Sequence, residues 1–293
     1  MNGVDPWRQT YWDWRAAGNF IAGGSGSGLL LITAIAGLRG GPVQWLTLMS
    51  LILVAVGLSL VWLELGRPWR FMHVFFNPHT SWMTREAIVA MPLLALGLAA
   101  VLTNRLEFVW AAAVAGMGFL YCQGRVLIAA KGIPVWRTPR IMALILCTGF
   151  AEGCGIYLLL APWLTPGAVT ATFPLVMILL LVALAGRLYA WSVYRNGLKG
   201  KAPKAALEVL NRSNLPFITL GHVFPALALT AGLLFPGARL LVALLAGVSA
   251  AAAGWFIKSV IITRAAYNQG YAIEHTPARG GGQSGPGVKP GWE

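Results

Sequence analysis

Charged residues are scarce in this sequence of 293 residues. Only 11% of positions are Asp, Glu, Lys or Arg, whereas an average soluble domain has about 25%, and 57% are hydrophobic. This balance excludes a disordered chain, a soluble enzyme and a nucleic-acid-binding domain. It indicates a polytopic integral membrane protein, and we predict an all-α fold for it.

Residues that bind metals are also few. The three cysteines lie in apolar stretches without a CxxC pair, which excludes a disulfide framework, a zinc ribbon and a cysteine-ligated iron–sulfur cluster within this chain. A membrane b-haem usually needs two histidines, and only His222 falls well inside an apolar stretch, so we expect no haem. Redox chemistry would therefore need electrons from a partner. The N-terminus shows no signal-peptide pattern, and we expect no cleavage there.

Long apolar windows are abundant. Eight windows of about 20 residues with few charges predict eight transmembrane helices, which we assign to two four-helix bundles. The windows are 17–38, 43–65, 87–103, 107–130, 138–160, 168–194, 216–235 and 238–262. The predicted organisation is an N-terminal segment (1–16), a first bundle (17–130) with a polar loop (64–86), a second bundle (131–262) and an extended C-terminal arm (263–293).

Basic residues outnumber acidic ones by 22 to 9. With eight spans, 16 of the 22 fall on the side of both termini, three on the other side, and three within or near spans. The positive-inside rule then predicts a multi-pass protein of the cytoplasmic membrane with both termini in the cytoplasm. Anionic lipid or an acidic partner would face these loops, and a basic face that docks an acidic subunit would give the same distribution.

The densest polar cluster is the segment 62–86, between the second and third predicted spans. It mixes arginine, glutamate and histidine with tryptophan and phenylalanine, which predicts an interfacial re-entrant or amphipathic segment. Such a mixture suits a quinone, because the ring oxygens need donors, the ring needs flat apolar neighbours and its reduction needs a proton relay. A lipid-facing belt locked by Arg–Glu pairs is the structural alternative.

Candidate site residues come from this segment and from two other spans. The proton-relay candidates are Glu86, Glu64 and His73. The quinone-binding candidates are Arg70, Arg125, Asn19, Trp82, Gln123 and Arg67. Arg125 could instead be a snorkelling arginine. The glycines after Asn19, with Gly24 and Gly28 four residues apart, predict close helix packing.

Four ionisable residues are scattered through the second half: Glu152, Arg187, His222 and Lys258. Charged groups inside a membrane are costly, so each of them is a functional hypothesis. Glu152 and Arg187 are candidates for a buried pair. A proton path and a satisfied structural network are both open interpretations.

Three matches in chain order resemble the DmsC/NrfD family of membrane-anchor subunits. Glu64-Leu65-Gly66-Arg67-Pro68-Trp69-Arg70, followed by Ser81 and Glu86, is similar to the family's x-His-Leu-Gly-x-Pro-x-Arg stretch with its later Ser-x-x-x-x-Glu. Arg125-Val126 with Pro134 and Trp136 resembles a second family segment, and 18–24 resembles a third. Glu64 departs from the family, which carries a histidine there that is implicated in quinol binding.

The resemblance implies an anchor subunit of a molybdenum and iron–sulfur oxidoreductase. Such a chain would dock a ferredoxin-like iron–sulfur subunit and a molybdopterin catalytic subunit. It would exchange electrons between the nearest cluster and membrane menaquinone or ubiquinone, without haem. The segment 263–271 is similar to family members paired with oxidoreductases of organic compounds, which implies a cytoplasmic substrate such as an aryl-acetyl-CoA. A secondary transporter and a structural anchor without quinone chemistry are the alternatives.

Overall fold

The computed structural model describes residues 5–40, 43–64, 68–164, 166 and 169–270. Within these ranges the chain is helical and forms no β-strand, which confirms the predicted all-α class. Eight of its helices are long and apolar enough to cross a membrane. Arg67 and most of the predicted C-terminal arm, from residue 271 onward, lie outside the described residues.

The described residues form ten α-helices, which follow one another along the chain. They are α1 (Trp14–Gly37), α2 (Gln44–Glu64), α3 (Trp82–Thr103), α4 (Leu106–Ala129), α5 (Pro134–Arg137), α6 (Ile141–Leu164), α7 (Val169–Leu198), α8 (Lys204–Ile218), α9 (Phe224–Leu234) and α10 (Arg239–Ser259). A 3₁₀ helix (Pro68–Phe76) lies between α2 and α3, and π-helical turns join α8 to α9 and extend α10. The α8–α9 pair counts as one long apolar helix, Lys204–Leu234.

Helix α1 lies at the centre of the fold because small residues let its neighbours approach closely. It packs against α2, α4 and α6, and α6 also packs against α7 and α10. A Cβ atom on Gly28 would overlap the carbonyl group of Gly149, and one on Gly153 would overlap the backbone of Gly28. The predicted role of the α1 glycines in close helix contact is therefore confirmed.

The seventh apolar helix begins earlier than the sequence predicts. We expected it at 216–235, whereas the helix starts at Lys204. Its first turns carry Lys204, Glu208 and Arg212 on exposed positions, while Ala206 and Leu210 are buried. An amphipathic start of this kind is hidden from a search for uniformly apolar windows.

The two ends of the described chain meet beside α5. The amide of Gln9 donates to the carbonyl of Ala266 at 2.9 Å, and the amide of Asn268 donates to the carbonyl of Trp7 at 3.0 Å. The side chain of Trp136 in α5 donates to the carbonyl of Ile261 at 2.9 Å. Residues 265–270 therefore lie along the N-terminal segment and do not extend away from the helices.

Candidate functional site: a cavity between α2 and α3

A cavity of about 480 Å³ opens between α2, α3 and the 3₁₀ helix. Four of the predicted site residues line it: Asn19, Arg70, His73 and Glu86. Its other walls are apolar or aromatic, and they include Trp62, Phe71, Phe75, Met83 and Met91. The volume falls in the usual range for small-molecule sites, and the mixture of many apolar and few polar walls is typical of them.

The segment before α3 is fixed by Arg85, which closes the loop through carbonyl groups. Its Nε donates to the carbonyl of Pro78 at 2.7 Å and its Nη2 donates to the carbonyl of His79 at 2.8 Å. Ser81 caps α3 by accepting a hydrogen bond from the amide of Thr84. The expected alternative of Arg–Glu pairs is wrong for Arg85, because among the described residues its partners are backbone oxygens.

Glu86 is the buried polar group of the cavity. It is the fifth residue of α3, and Glu86 is only 7% exposed. The amide Nδ2 of Asn19 in α1 donates to Oε1 of Glu86 at 3.1 Å. In turn, Nε2 of Gln123 in α4 donates to the backbone carbonyl of Asn19 at 3.0 Å. Three helices thus hold this carboxyl group in place.

Two acceptor oxygens beside Glu86 have no hydrogen-bond partner. They are Oδ1 of Asn19 and Oε1 of Gln123, and both are buried. Buried polar atoms are usually paired with protein or water, so such atoms indicate a place where water or a ligand can donate a hydrogen bond. The carboxyl group itself has no cationic partner among the ion pairs of the described residues.

The 3₁₀ helix supplies the donors at the mouth of the cavity. Arg70 and His73 are both exposed. Nδ1 of His73 lies 3.1 Å from the carbonyl of Arg70, and its ring packs edge-on against Phe76. The mouth therefore carries one guanidinium group and one imidazole ring, above a buried carboxyl group.

Four other predicted residues that the structure describes do not line this cavity: Glu64, Trp82, Gln123 and Arg125. The guanidinium carbon of Arg125 is 4.5 Å from the ring centre of Trp82, and its Nε is buried without a partner. Gln123 donates to the carbonyl of Asn19, and its side chain also interacts directly with the carboxyl group of Glu86. Glu64 is half-buried at the end of α2. Arg67, as noted, is outside the described residues.

The sequence pattern missed the aliphatic wall of the cavity. Val61 of α2 and Ala90, Met91 and Leu94 of α3 line it. Each belongs to an ordinary apolar helix sequence, so no local signal separates it from residues that face lipid. Met91 is 53% exposed, so this wall is open on its outer side.

A second polar cluster lies between α1, α6 and α10. The ammonium group of Lys258 is 2.7 Å from Oε2 of Glu152, and both side chains are at most 1% exposed. Ser25 donates to the same carboxylate oxygen at 2.9 Å, and Lys258 also donates to the carbonyl of Phe20 at 2.9 Å. The predicted Glu152–Arg187 pair is therefore wrong, because Lys258 reaches Glu152 from the facing helix.

Arg187 is held by other partners. It donates to the carbonyl groups of Ala250 at 2.9 Å and of Gly221 at 2.6 Å, and its Nε lies 3.2 Å from Nε2 of His222. Gly221 and His222 belong to the π-helical turn Thr219–Val223. A π turn leaves carbonyl groups outside the regular ladder, and the guanidinium group uses one of them.

The comparisons with known proteins add no relative. No protein-family model matches this chain, and no curated protein is similar enough to be matched with it.

Proposed function

We propose that the cavity between α2 and α3 binds the head group of a membrane quinone. The observation that carries this proposal is the joint lining by Asn19, Arg70, His73 and Glu86 within aromatic and aliphatic walls. A bound quinone supplies two-electron, two-proton chemistry. The head group needs donors and a proton acceptor, and the aliphatic wall suits its isoprenoid tail.

Each polar residue has a task in this proposal. Arg70, at the mouth, donates to a ring oxygen and holds its developing negative charge. Glu86 accepts or returns a proton at the deeper oxygen, and Asn19 keeps its carboxyl group directed into the cavity by the 3.1 Å hydrogen bond. His73 exchanges protons with water, because it is exposed beside Arg70.

The chain acts, in this proposal, as a multi-pass subunit that anchors redox partners in the cytoplasmic membrane. The eight long apolar helices support membrane insertion, and the loop motif supports a partner with iron–sulfur clusters and a molybdopterin catalytic subunit. The same end of the molecule carries the cavity and most basic residues, so the charge distribution supports docking on the cytoplasmic side. We propose an organic substrate, such as an aryl-acetyl-CoA, for the catalytic subunit.

The test uses the intact complex purified from its native membrane. Glu86→Gln and Arg70→Ala are expected to abolish turnover with a soluble quinone analogue, while assembly and activity with an artificial dye persist. The matched controls are Glu107→Gln and Arg212→Ala, since both residues are exposed and lie outside the cavity. Normal quinone turnover in both cavity variants would refute the site assignment.

Secondary transport is a second candidate function. One observation favours it: Glu152 and Lys258 form a charged pair deep within the apolar helices, and Oε1 of Glu152 has no partner. Substrate-dependent uptake into vesicles that contain this subunit alone would support transport. Glu152→Gln would then abolish the uptake, whereas the quinone proposal requires no uptake.

A further inference from the structure

A second cavity lies at the same end of the molecule, away from the quinone site. Its volume is about 230 Å³ and it is bordered by the α4–α5 connection, α5, the α5–α6 connection and the end of α7. Three cations line it: Lys131, Arg137 and Lys201. Thr138 adds a hydroxyl group to the lining. Among the residues that the structure describes, no acidic side chain lines this cavity.

A fourth cation stands beside the same walls. Gly197 lines the cavity, and a Cβ atom on it would overlap the guanidinium group of Arg140. The ion pairs of the described residues are Asp13–Arg15, Arg105–Glu107 and Glu152–Lys258. None of the four cations is therefore neutralised by an acidic side chain in the described part of the chain. Gathering like charges is unfavourable unless an anion is bound between them.

The walls of this cavity are held rigidly. Nη1 of Arg137 donates to the carbonyl of Lys131 at 3.2 Å, and Nε2 of Gln269 donates to the same oxygen at 3.2 Å. The hydroxyl group of Tyr194 in α7 donates to the carbonyl of Val135 at 2.9 Å. The α5 segment is thus tied to α7 and to the C-terminal segment, so the backbone around the cavity is held in place before any ligand binds.

We propose that this basic cavity binds the phosphate group of an anionic phospholipid. The cavity lies where α4 and α7 end and α6 begins, which is the level of the lipid head groups for helices that span a membrane. Basic pockets between spanning helices suit such head groups. Pro134, Pro139 and Leu198 give it an apolar border, which favours a lipid over a fully hydrated ion.

The test follows the thermal unfolding of the purified full chain in a neutral detergent. Titration with phosphatidylglycerol or cardiolipin is expected to raise the unfolding temperature, because a ligand that binds only the folded state stabilises it. Phosphatidylcholine and inorganic phosphate are the comparison ligands. A shift of equal size with phosphatidylcholine, or with inorganic phosphate alone, would overturn the assignment to an anionic lipid.

The variant for this test is Lys131→Gln combined with Lys201→Gln. Both lysines are exposed and neither ammonium group has a hydrogen-bond partner among the described residues, so the fold is expected to persist. Removing two charges should raise the lipid concentration for half-maximal stabilisation by about 30-fold. The control, Lys204→Gln with Arg212→Gln, removes two exposed charges of α8 outside the cavity and should leave it unchanged.

A single variant keeps the proposal testable if the double variant does not fold. Arg137→Gln keeps both lysines and should weaken the anionic lipid by several-fold. Native mass spectrometry of the same samples should show a retained phospholipid in the unaltered chain and less of it in the variant. Equal retention and equal titration curves in the variants and the control would overturn the proposal.

Discussion

Two buried glutamates lie on different sides of α1, and their surroundings differ. Glu152 has a cation 2.7 Å away and a hydroxyl donor from Ser25 at 2.9 Å. Glu86 interacts with neutral amides, those of Asn19 and Gln123, and lies against a cavity. Both carboxyl groups are bound by a polar residue of α1. The sequence predicts Glu86 as a proton-relay candidate of the interfacial segment, and Glu152 as one of the ionisable residues inside the later spans.

The difference separates a structural role from a ligand-binding role. Around Glu152, Cβ atoms on Gly24 and Gly254 would meet the ammonium group of Lys258 and the carboxyl group itself. The backbones of α1 and α10 therefore pack directly against this pair. Glu86 keeps hydrogen-bonding capacity toward an open volume. A buried charge without a charged partner is costly, and it is more readily explained by a function than by stability.

The largest effect is expected from Lys258→Met. This change leaves Glu152 buried without its cation, and losing one member of a buried pair typically costs about 3–5 kcal/mol. The thermal stability of the purified chain should fall strongly, while Glu86→Gln should leave it close to normal. The double change Glu152→Gln with Lys258→Met should recover most of the loss. Unfolding of Lys258→Met at the normal temperature would contradict a structural role for the pair.

The next largest loss of stability is expected at the glycines that let α1 pack closely against its neighbours. A methyl group on Gly28 would overlap the backbone of Gly149, which cannot move aside, so Gly28→Ala should destabilise the chain by about 1–3 kcal/mol. In α2, a Cβ atom on Gly57 would lie 3.0 Å from the backbone nitrogen of Gly23 and 3.2 Å from Oδ1 of Asn19. These contacts are longer than those at Gly28, so Gly57→Ala should cost less. Thermal unfolding measures both.

Gly132→Ala is the control for these glycine variants, because nothing lies within 4 Å of the added carbon. It should unfold like the unaltered chain. A Gly57→Ala variant that is less stable than Gly28→Ala would reverse the order of packing on the two sides of α1.

Much of the helical framework could be predicted from composition alone. All eight apolar windows correspond to long helices, because uniform hydrophobicity over about 20 residues is a strong local signal. Helix ends that mix polar and apolar residues were harder to predict. The third helix begins at Trp82, five residues before the predicted window, since Ser81 caps it and Arg85 and Glu86 are already helical.

The partners of the polar side chains within the apolar helices could not be predicted in the same way. Asn19 meets Glu86 and Lys258 meets Glu152 across separations of 67 and 106 residues. These contacts depend on how α1 rotates against α3, α6 and α10, which no local pattern encodes. Arg187 has the right charge to pair with Glu152. Its guanidinium group instead donates to the carbonyl of Gly221 in the π turn and to that of Ala250 in α10.

A moderate effect is expected when the α1 donor of each glutamate is removed. Asn19→Ala takes one of two amide donors from Glu86, and we expect the affinity for a quinone analogue to fall about tenfold. Ser25→Ala removes one of several donors to Glu152 and should cost about 1 kcal/mol of stability with unchanged quinone turnover. Binding titrations and unfolding curves of both variants measure the two effects. The same phenotype in both variants would remove the distinction between the two glutamates.

The smallest effect should come from the mouth of the cavity. His73 is exposed and packs only against Phe76 and the carbonyl of Arg70, so His73→Gln should change stability by less than about 0.5 kcal/mol. If its imidazole transfers protons to water, quinone turnover should fall several-fold, and added imidazole should restore part of it. The control is His79→Gln, because His79 is an exposed histidine of the same segment that does not line the cavity. Equal turnover in the His73 and His79 variants would place the proton path at Glu86 without His73, through groups deeper than the mouth.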